Sequence, residues 1–236
     1  MNEFLDPVQL TEQIRHIIKS KDWYSLTESS GFVWEESIVL MAEMISQEIR
    51  QVESEQIKQI IESSFTSDSL SLVDSEYFVD SLLEIDSELV LWSEGDISWQ
   101  ASKASRTGLT TRKSIRLELI GKDKTSELKD IILSLADETG EKVHVVVIDD
   151  KEKNLAHALS LQDQVLDSGI TISTYHFNLQ DIQAGPANCL SFLSEIKEKN
   201  IRLIVDMDGV LINTDLVLLE LVVPKIVLLL QKLSAE

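Results

Sequence analysis

Cysteine, glycine and positive charge are all scarce in this chain. Cys189 is the only cysteine among 236 residues, so no intramolecular disulfide can form and a reducing cytoplasm is the expected location. Gly185-Pro186 is typical of a turn, and no glycine-rich phosphate loop surrounds it. Lysine and arginine total 21 against 41 acidic residues, which gives a formal charge of −20. Such acidity serves solubility and opposes unaided binding to nucleic acid or an anionic membrane.

Signals for export, membrane insertion and zinc binding are also missing. Asn2 and Glu3 follow Met1, and the N-terminal region lacks an apolar core, so no signal peptide is predicted. The most apolar stretch, at 216–233, is interrupted by Glu220 and Pro224 and predicts a buried helix with a kink or break near the proline. The four histidines lack a spacing suited to zinc ligands.

Two kinds of periodicity divide the chain. Over residues 6–65, apolar residues such as Leu10, Ile14 and Ile18 recur at helical spacing, and a further short helix is predicted around 75–85. After it, five β-rich runs predict strands: ELVLW at 88–92, SIRLELI at 114–120, VHVVVI at 143–148, ITISTYHF at 170–177 and IRLIV at 201–205. Segments of helical character separate these runs, which indicates an α/β fold with a doubly wound parallel sheet.

Small polar or acidic residues follow three of the predicted strands. Ser93 follows the first, Asp149-Asp150 follows the third, and Asp206-Met207-Asp208-Gly209 follows the last. A single aspartate or serine at such a position is most often a helix N-cap. Ligands of an open parallel sheet, however, bind beyond the carboxyl ends of its strands. Clustered carboxylates there need a cation, and oxygen ligands suit Mg²⁺ with a substrate phosphate in its shell.

Four segments together resemble the motifs of the haloacid dehalogenase superfamily of phosphatases and phosphotransferases. DMDGVLINTD at 206–215 resembles the first motif and VHVVVIDDKEKNLAHAL at 143–159 the fourth, and both are fairly specific. LVLWSEGDISWQASKASRTGL at 89–109 resembles the second motif and GKDKTSELKDIILSL at 121–135 the third, and both are weak alone. The resemblance covers the chain from about Leu89 onward.

The order of the motifs departs from that of the family. The chain runs second, third, fourth, first, as a circular permutation would. The family's strand order, 3-2-1-4-5 in a Rossmann-like core, would then place the run at 201–205 in the centre, between ELVLW and VHVVVI. The resemblance further implies a helical cap formed by 1–86 and completed by the tail at 215–236, with the α/β core at 87–214.

The resemblance assigns roles to individual residues. Asp206 matches the nucleophile that forms an aspartyl-phosphate, and Asp208 matches the general acid/base. Asp149 and Asp150 match the pair that holds Mg²⁺, together with Asp206 and the backbone carbonyl of Asp208. Ser93, Gly209 and a lysine would contact the phosphorylated substrate.

The identity of that lysine is open. Lys124 is favoured over Lys122, because it has the better distance from Asp149 and opens a helix. Lys103 and Lys113 are interpreted as solvated surface charges. Lys122, only two residues away, remains the alternative.

The leading hypothesis is a Mg²⁺-dependent phosphatase-like hydrolase that acts on a small phosphorylated metabolite. The alternative is a non-catalytic regulatory or binding protein on the same scaffold. A receiver-like phosphoacceptor domain is disfavoured, because such a domain needs a hydroxyl residue and a lysine on strands after the acceptor, and an apolar helical stretch follows Asp206 instead.

Overall fold

The computed structural model describes residues 6–20, 34–49, 52–65, 75–86, 88–95, 97–121, 123–137, 142–178, 186–197, 200–212 and 217–233. The chain divides into two compact units. A helical unit comprises Met1–Leu70 and Thr214–Glu236, and a sheet unit comprises Ser71–Asn213. The helix Ser75–Ile85 therefore lies in the sheet unit, whereas the sequence placed it with the cap. The role of the helical unit as a cap stays a prediction.

The strands and helices are numbered along the described part of the chain. The strands are β1 (Leu89–Glu94), β2 (Ile115–Ile120), β3 (Val143–Asp149), β4 (Ile170–His176) and β5 (Ile201–Asp206). The α-helices are α1 (Pro7–Ser20), α2 (Trp34–Ile49), α3 (Ser54–Ser64), α4 (Ser75–Ile85), α5 (Ile97–Arg106), α6 (Leu128–Asp137), α7 (Glu152–Ser160), α8 (Gln162–Val165), α9 (Ala187–Glu195) and α10 (Val223–Leu233). All five predicted strands are thus present at the predicted positions.

The helical unit is built on amphipathic helices. Leu10, Ile14 and Ile18 form the buried face of α1, which packs against α10. The π-helical segment Val217–Val222 leads into α10, and the change of helix type falls just before Pro224. A proline cannot donate a backbone hydrogen bond and clashes with the preceding turn, which accounts for a change of helix type at this point. No helix in the described ranges is both long and apolar enough to cross a membrane.

The sheet unit contains a five-stranded sheet in which every neighbouring pair of strands is parallel. The prediction of an α/β fold with a parallel sheet is therefore confirmed. Counted along the chain, the strand order is 2-1-5-3-4 and not 3-2-1-4-5. The difference lies in the starting strand, because counting β5 first and then β1 to β4 turns the observed order into 3-2-1-4-5.

The last strand lies in the middle of the sheet. β5 pairs with β1 on one side and with β3 on the other, as predicted for the run at 201–205. All seven residues of β3 are buried, which fits its continuous apolar run. Its alternate residues Val143, Val145 and Val147 share one hydrophobic core with α6 and α7. Burial thereby fixes the position of the central strands.

Candidate functional site

The strand register brings three predicted site residues to one edge of the sheet. Asp206 is the last residue of β5, and it pairs with Trp92 of β1. Ser93 is the next residue of β1. On the other side, Ile148 of β3 pairs with Val205, so Asp149 lies beside Asp206. Parallel strands present their carboxyl ends at the same edge, and the polar ends of β1, β5 and β3 meet there.

Lys124 bridges two of these carboxylates. Its Nζ atom donates to Asp206 Oδ1 at 2.6 Å and to Asp149 Oδ2 at 2.7 Å, and only 2% of its side chain is exposed. The ammonium group also lies 4.2 Å from the centre of the Trp92 ring, whose Nε1 atom donates to the Lys124 carbonyl oxygen. Lys124 therefore lies against two of the predicted site carboxylates. Its role as the site lysine stays a prediction, and Lys122 lies outside the described residues.

Both oxygens of Asp149 have hydrogen-bond donors within the protein. The side-chain amide of Asn154 donates to Oδ1 and Oδ2 at 3.1 and 3.0 Å, and the backbone N–H of Lys151 donates to Oδ1 at 2.7 Å. Together with Lys124, these donors give each of the two carboxylate oxygens two hydrogen bonds. Asp149 is thus well suited to orient the lysine.

Several other oxygens at this edge are buried without a hydrogen-bond partner among the described residues. They are Ser93 Oγ, Gln100 Oε1, Asp150 Oδ1 and Asp206 Oδ2. An unsatisfied buried polar atom costs about 1–3 kcal/mol. These oxygens lie together at one edge of the sheet, where a bound polar ligand or ion would supply the partners that they lack among the described residues.

The acidic residues at this edge could hold a metal ion. One carboxylate oxygen from each of Asp149, Asp150 and Asp206 lies within 4.8 Å of the others. Asp150 and Asp206 carry the unpartnered oxygens, so they are the better suited of the three to coordinate a cation directly. The donor set is purely carboxylate, which suits a hard cation.

Gly209 lets the loop after β5 pass close to Asp150. Its φ is +88°, and a Cβ atom at this position would lie 2.5 Å from Asp150 Oδ2. The Gly209 N–H donates to the carbonyl oxygen of Ile212 at 2.7 Å, which closes the loop on itself. Both the backbone conformation and the close approach therefore require glycine here.

The interpretation of Lys103 as a surface charge was wrong. Only 2% of its side chain is exposed, and its Nζ atom donates to both oxygens of Asp208, to Oδ2 at 2.6 Å. Gln100 Nε2 also donates to Asp208 Oδ2, at 3.0 Å. A buried ammonium group needs a counter-charge, and Asp208 supplies it. Lys113, by contrast, is exposed as predicted.

Burial and charge shift the pKa values of the site. Burial, reinforced by the Asp149 and Asp208 carboxylates, raises the pKa of Asp206 to about 8, although Lys124 opposes the shift. Burial also raises the pKa of Asp150. Burial tends to lower the pKa of Lys124, but the adjacent carboxylates outweigh it and the pKa is raised. The site is thus arranged to stabilise additional positive charge.

Sequence analysis missed three residues that complete the site: Gln100, Lys103 and Asn154. Gln100 and Lys103 are three positions apart on α5 and so share a helix face, which is a weak signal that they act together. Asn154 lies in the first turn of α7, shortly after the aspartate pair. Neither signal distinguishes these side chains from ordinary polar residues on the surface of a helix.

The chain was also compared with known proteins. No model of a protein family, no curated protein and no solved structure matches it.

Proposed function

We propose that the protein is a Mg²⁺-dependent phosphatase-like hydrolase, a circularly permuted member of the haloacid dehalogenase superfamily. Its substrate would be a small phosphorylated metabolite, and the reaction would pass through an aspartyl-phosphate at Asp206. The observation that carries the proposal is the pairing of Asp206 with Lys124 beside buried oxygens that have no hydrogen-bond partner in the described part of the chain.

The reaction would begin with attack by Asp206 on the phosphorus of the substrate. The bond from phosphorus to the leaving oxygen breaks, and Asp208 gives that oxygen a proton. Lys124 and the Ser93 hydroxyl would hold the phosphoryl oxygens. The Ser93 hydroxyl is buried and lacks a partner among the described residues, so it is available to donate to a bound phosphoryl group.

Water would complete the cycle. Its oxygen attacks the phosphorus of the aspartyl-phosphate, the bond from phosphorus to Asp206 breaks, and Asp208 takes the proton of the water. Inorganic phosphate and the free carboxylate result. Asp208 suits this step because its side chain is 29% exposed, whereas that of Asp206 is 2% exposed.

Mg²⁺ is the cation that best fits the proposed chemistry. When all are ionised, the four aspartates of the site outweigh its two lysines by two charges, which one divalent cation offsets. Asp150 and Asp206 would hold the ion, with Asp149 and the Asp208 backbone carbonyl as the further ligands that the family resemblance implies. When bound, it would offset the charge of the phosphoryl oxygens.

The strand arrangement supports the permuted order of motifs. The strand that ends in Asp206 comes last in the chain and yet lies between the strands that end near Ser93 and at Asp149. A chain of this family that starts at its second motif would have this arrangement. The cytoplasm remains the predicted location.

The experiment that tests the proposal is release of phosphate from an aryl phosphate and from a broad panel of phosphorylated metabolites. Wild-type protein with Mg²⁺ should release phosphate, while Asp206→Asn should not, and Asp130→Asn, which changes an exposed aspartate, should behave as wild type. Equal rates in wild type and Asp206→Asn would contradict the proposal.

Binding of beryllofluoride, a mimic of the phosphoryl group, separates the enzyme from a non-catalytic scaffold. With Mg²⁺ present, the mimic should bind wild-type protein at Asp206 and should fail to bind Asp206→Asn. A protein that binds Mg²⁺ but neither binds the mimic nor releases phosphate is the non-catalytic alternative.

A further inference from the structure

Lys103 and Gln100 hold the side chain of Asp208 from one face of α5. Lys103 Nζ donates to both carboxylate oxygens, and Gln100 Nε2 donates to Oδ2 at 3.0 Å. We propose that these two residues are positioning residues, which hold the Asp208 carboxylate in the orientation it needs as the base for hydrolysis of the aspartyl-phosphate. The inference rests on the proposed function and assigns two further residues to the same site.

The contact between α5 and Asp208 is built from several parts of the chain. Gln100 is 4% exposed, and its Nε2 atom donates also to the Glu94 carbonyl oxygen at 2.7 Å. Gly95 makes room for this amide, since a Cβ atom there would lie 2.8 Å from Gln100 Nε2. The end of β1 thus fixes Gln100, and Gln100 in turn fixes Asp208. If Asp208 served only as the counter-charge of Lys103, it would not need the second hydrogen bond, from Gln100.

The hydrogen bonds to Asp208 favour the second half of the reaction, in which water hydrolyses the aspartyl-phosphate. Donors to both oxygens fix the orientation of the Asp208 carboxylate, which the attack of water requires, whereas a leaving group that departs without a proton does not need Asp208. The proton of the water goes to Asp208 as the oxygen–phosphorus bond forms and the bond to Asp206 breaks. Loss of Lys103 should therefore slow release of phosphate from Asp206 more than it slows the transfer of phosphate to Asp206.

The test uses p-nitrophenyl phosphate, whose leaving group departs without a proton. For this substrate kcat/KM reports transfer to Asp206, and kcat reports hydrolysis once that step limits turnover. Lys103→Met should lower kcat by roughly ten- to hundredfold, leave kcat/KM within about twofold of wild type, and cause the phosphoenzyme to accumulate. Phosphoenzyme is measured after acid quenching of the reaction.

Three further variants test the interpretation. Lys103→Arg, which can donate to both oxygens of Asp208, should restore much of kcat, and exposed Lys113→Met should leave both constants unchanged. Gln100→Leu should show the same pattern as Lys103→Met to a smaller degree, and it decides the matter if Lys103→Met does not fold.

Equal losses of kcat and kcat/KM, without accumulation of phosphoenzyme, would overturn the positioning role alone. Absence of turnover and of phosphoenzyme in the wild-type protein is a different result, because it would overturn the proposed function and the positioning role with it.

Discussion

The Asp150 carboxylate lies so close to Gly209 that a Cβ atom at position 209 would be 2.5 Å from its Oδ2 atom. The loop that carries Asp208 and the residue proposed to hold the metal are thus packed directly against each other. Any side chain at 209 forces one of them to move. The position of Asp150 at the end of β3 therefore depends on the absence of a side chain at Gly209.

Gly209→Ala should weaken both stability and metal binding. The left-handed backbone costs about 1–2 kcal/mol for a residue with a Cβ atom, and displacement of Asp150 adds to that cost. Gly108→Ala is the matched control, because its φ is +74° but the nearest atom to its added Cβ would be Thr111 Oγ1 at 4.0 Å. Urea denaturation and Mg²⁺ titration should show a loss of affinity for Gly209→Ala only. Equal Mg²⁺ affinity in the two variants would refute the coupling between Gly209 and Asp150.

Ser93→Ala should separate folding from binding. The buried hydroxyl has no partner among the described residues, so its removal should change the free energy of unfolding by less than about 0.5 kcal/mol or raise it. Binding of beryllofluoride with Mg²⁺ should weaken by roughly tenfold, since a donor to the phosphoryl group is lost. Destabilisation of more than about 1 kcal/mol with unchanged binding would show that the hydroxyl serves the fold.

Lys124→Met should destabilise the protein without metal by about 3–5 kcal/mol, because Asp149 and Asp206 lose their shared counter-charge while they remain buried. Mg²⁺ should restore part of this loss by supplying positive charge at the same place. Urea denaturation with and without Mg²⁺ measures both effects, and exposed Lys113→Met is the control. A loss below about 1 kcal/mol would mean that the lysine bridge contributes little to the fold.

The titration of Asp206 predicts how stability depends on pH without metal. Burial raises the pKa of Asp206 from 3.8 to about 8, so the protonated form is favoured in the folded protein. The stability that this group contributes is fully present below its unfolded pKa and is lost as the pH rises through about 8. The free energy of unfolding of wild type relative to Asp206→Asn should therefore fall with rising pH.

Chemical denaturation at a series of pH values, with the metal removed, measures this difference. Mg²⁺ should reduce the fall, because the cation stabilises the ionised carboxylate. A difference between the two proteins that does not change with pH would show that Asp206 does not titrate in this range.

The positions of the strands could be predicted from the sequence, because the patterns that indicate a strand lie within the strand itself. The β-rich apolar runs located all five strands, and the residues that follow them indicated where polar groups gather. The order of the strands is not a local property. The central place of β5 followed from the resemblance in motif order, since no pattern within the strand itself specifies its neighbours.

Lys103 shows where sequence analysis reaches its limit. In the segment SKASR a lysine has the surroundings of an exposed helix residue, and nothing nearby indicates burial. Its partner Asp208 lies on a strand-end loop far along the chain, so the pair exists only once the sheet is assembled. Asp149 and Asp150 likewise look equivalent in sequence, and their environments differ only in the folded structure, where Lys124, Lys151 and Asn154 donate to Asp149.

The most direct test of the central claim is to look for the covalent intermediate. Wild-type protein is mixed with a phosphorylated substrate and Mg²⁺, quenched in acid, digested and analysed by mass spectrometry. The account predicts one added phosphoryl group on the peptide that contains Asp206, lost on treatment with hydroxylamine and absent from Asp206→Asn. Turnover of substrate with no phosphoryl group on that peptide, or with the group on another residue, would contradict it.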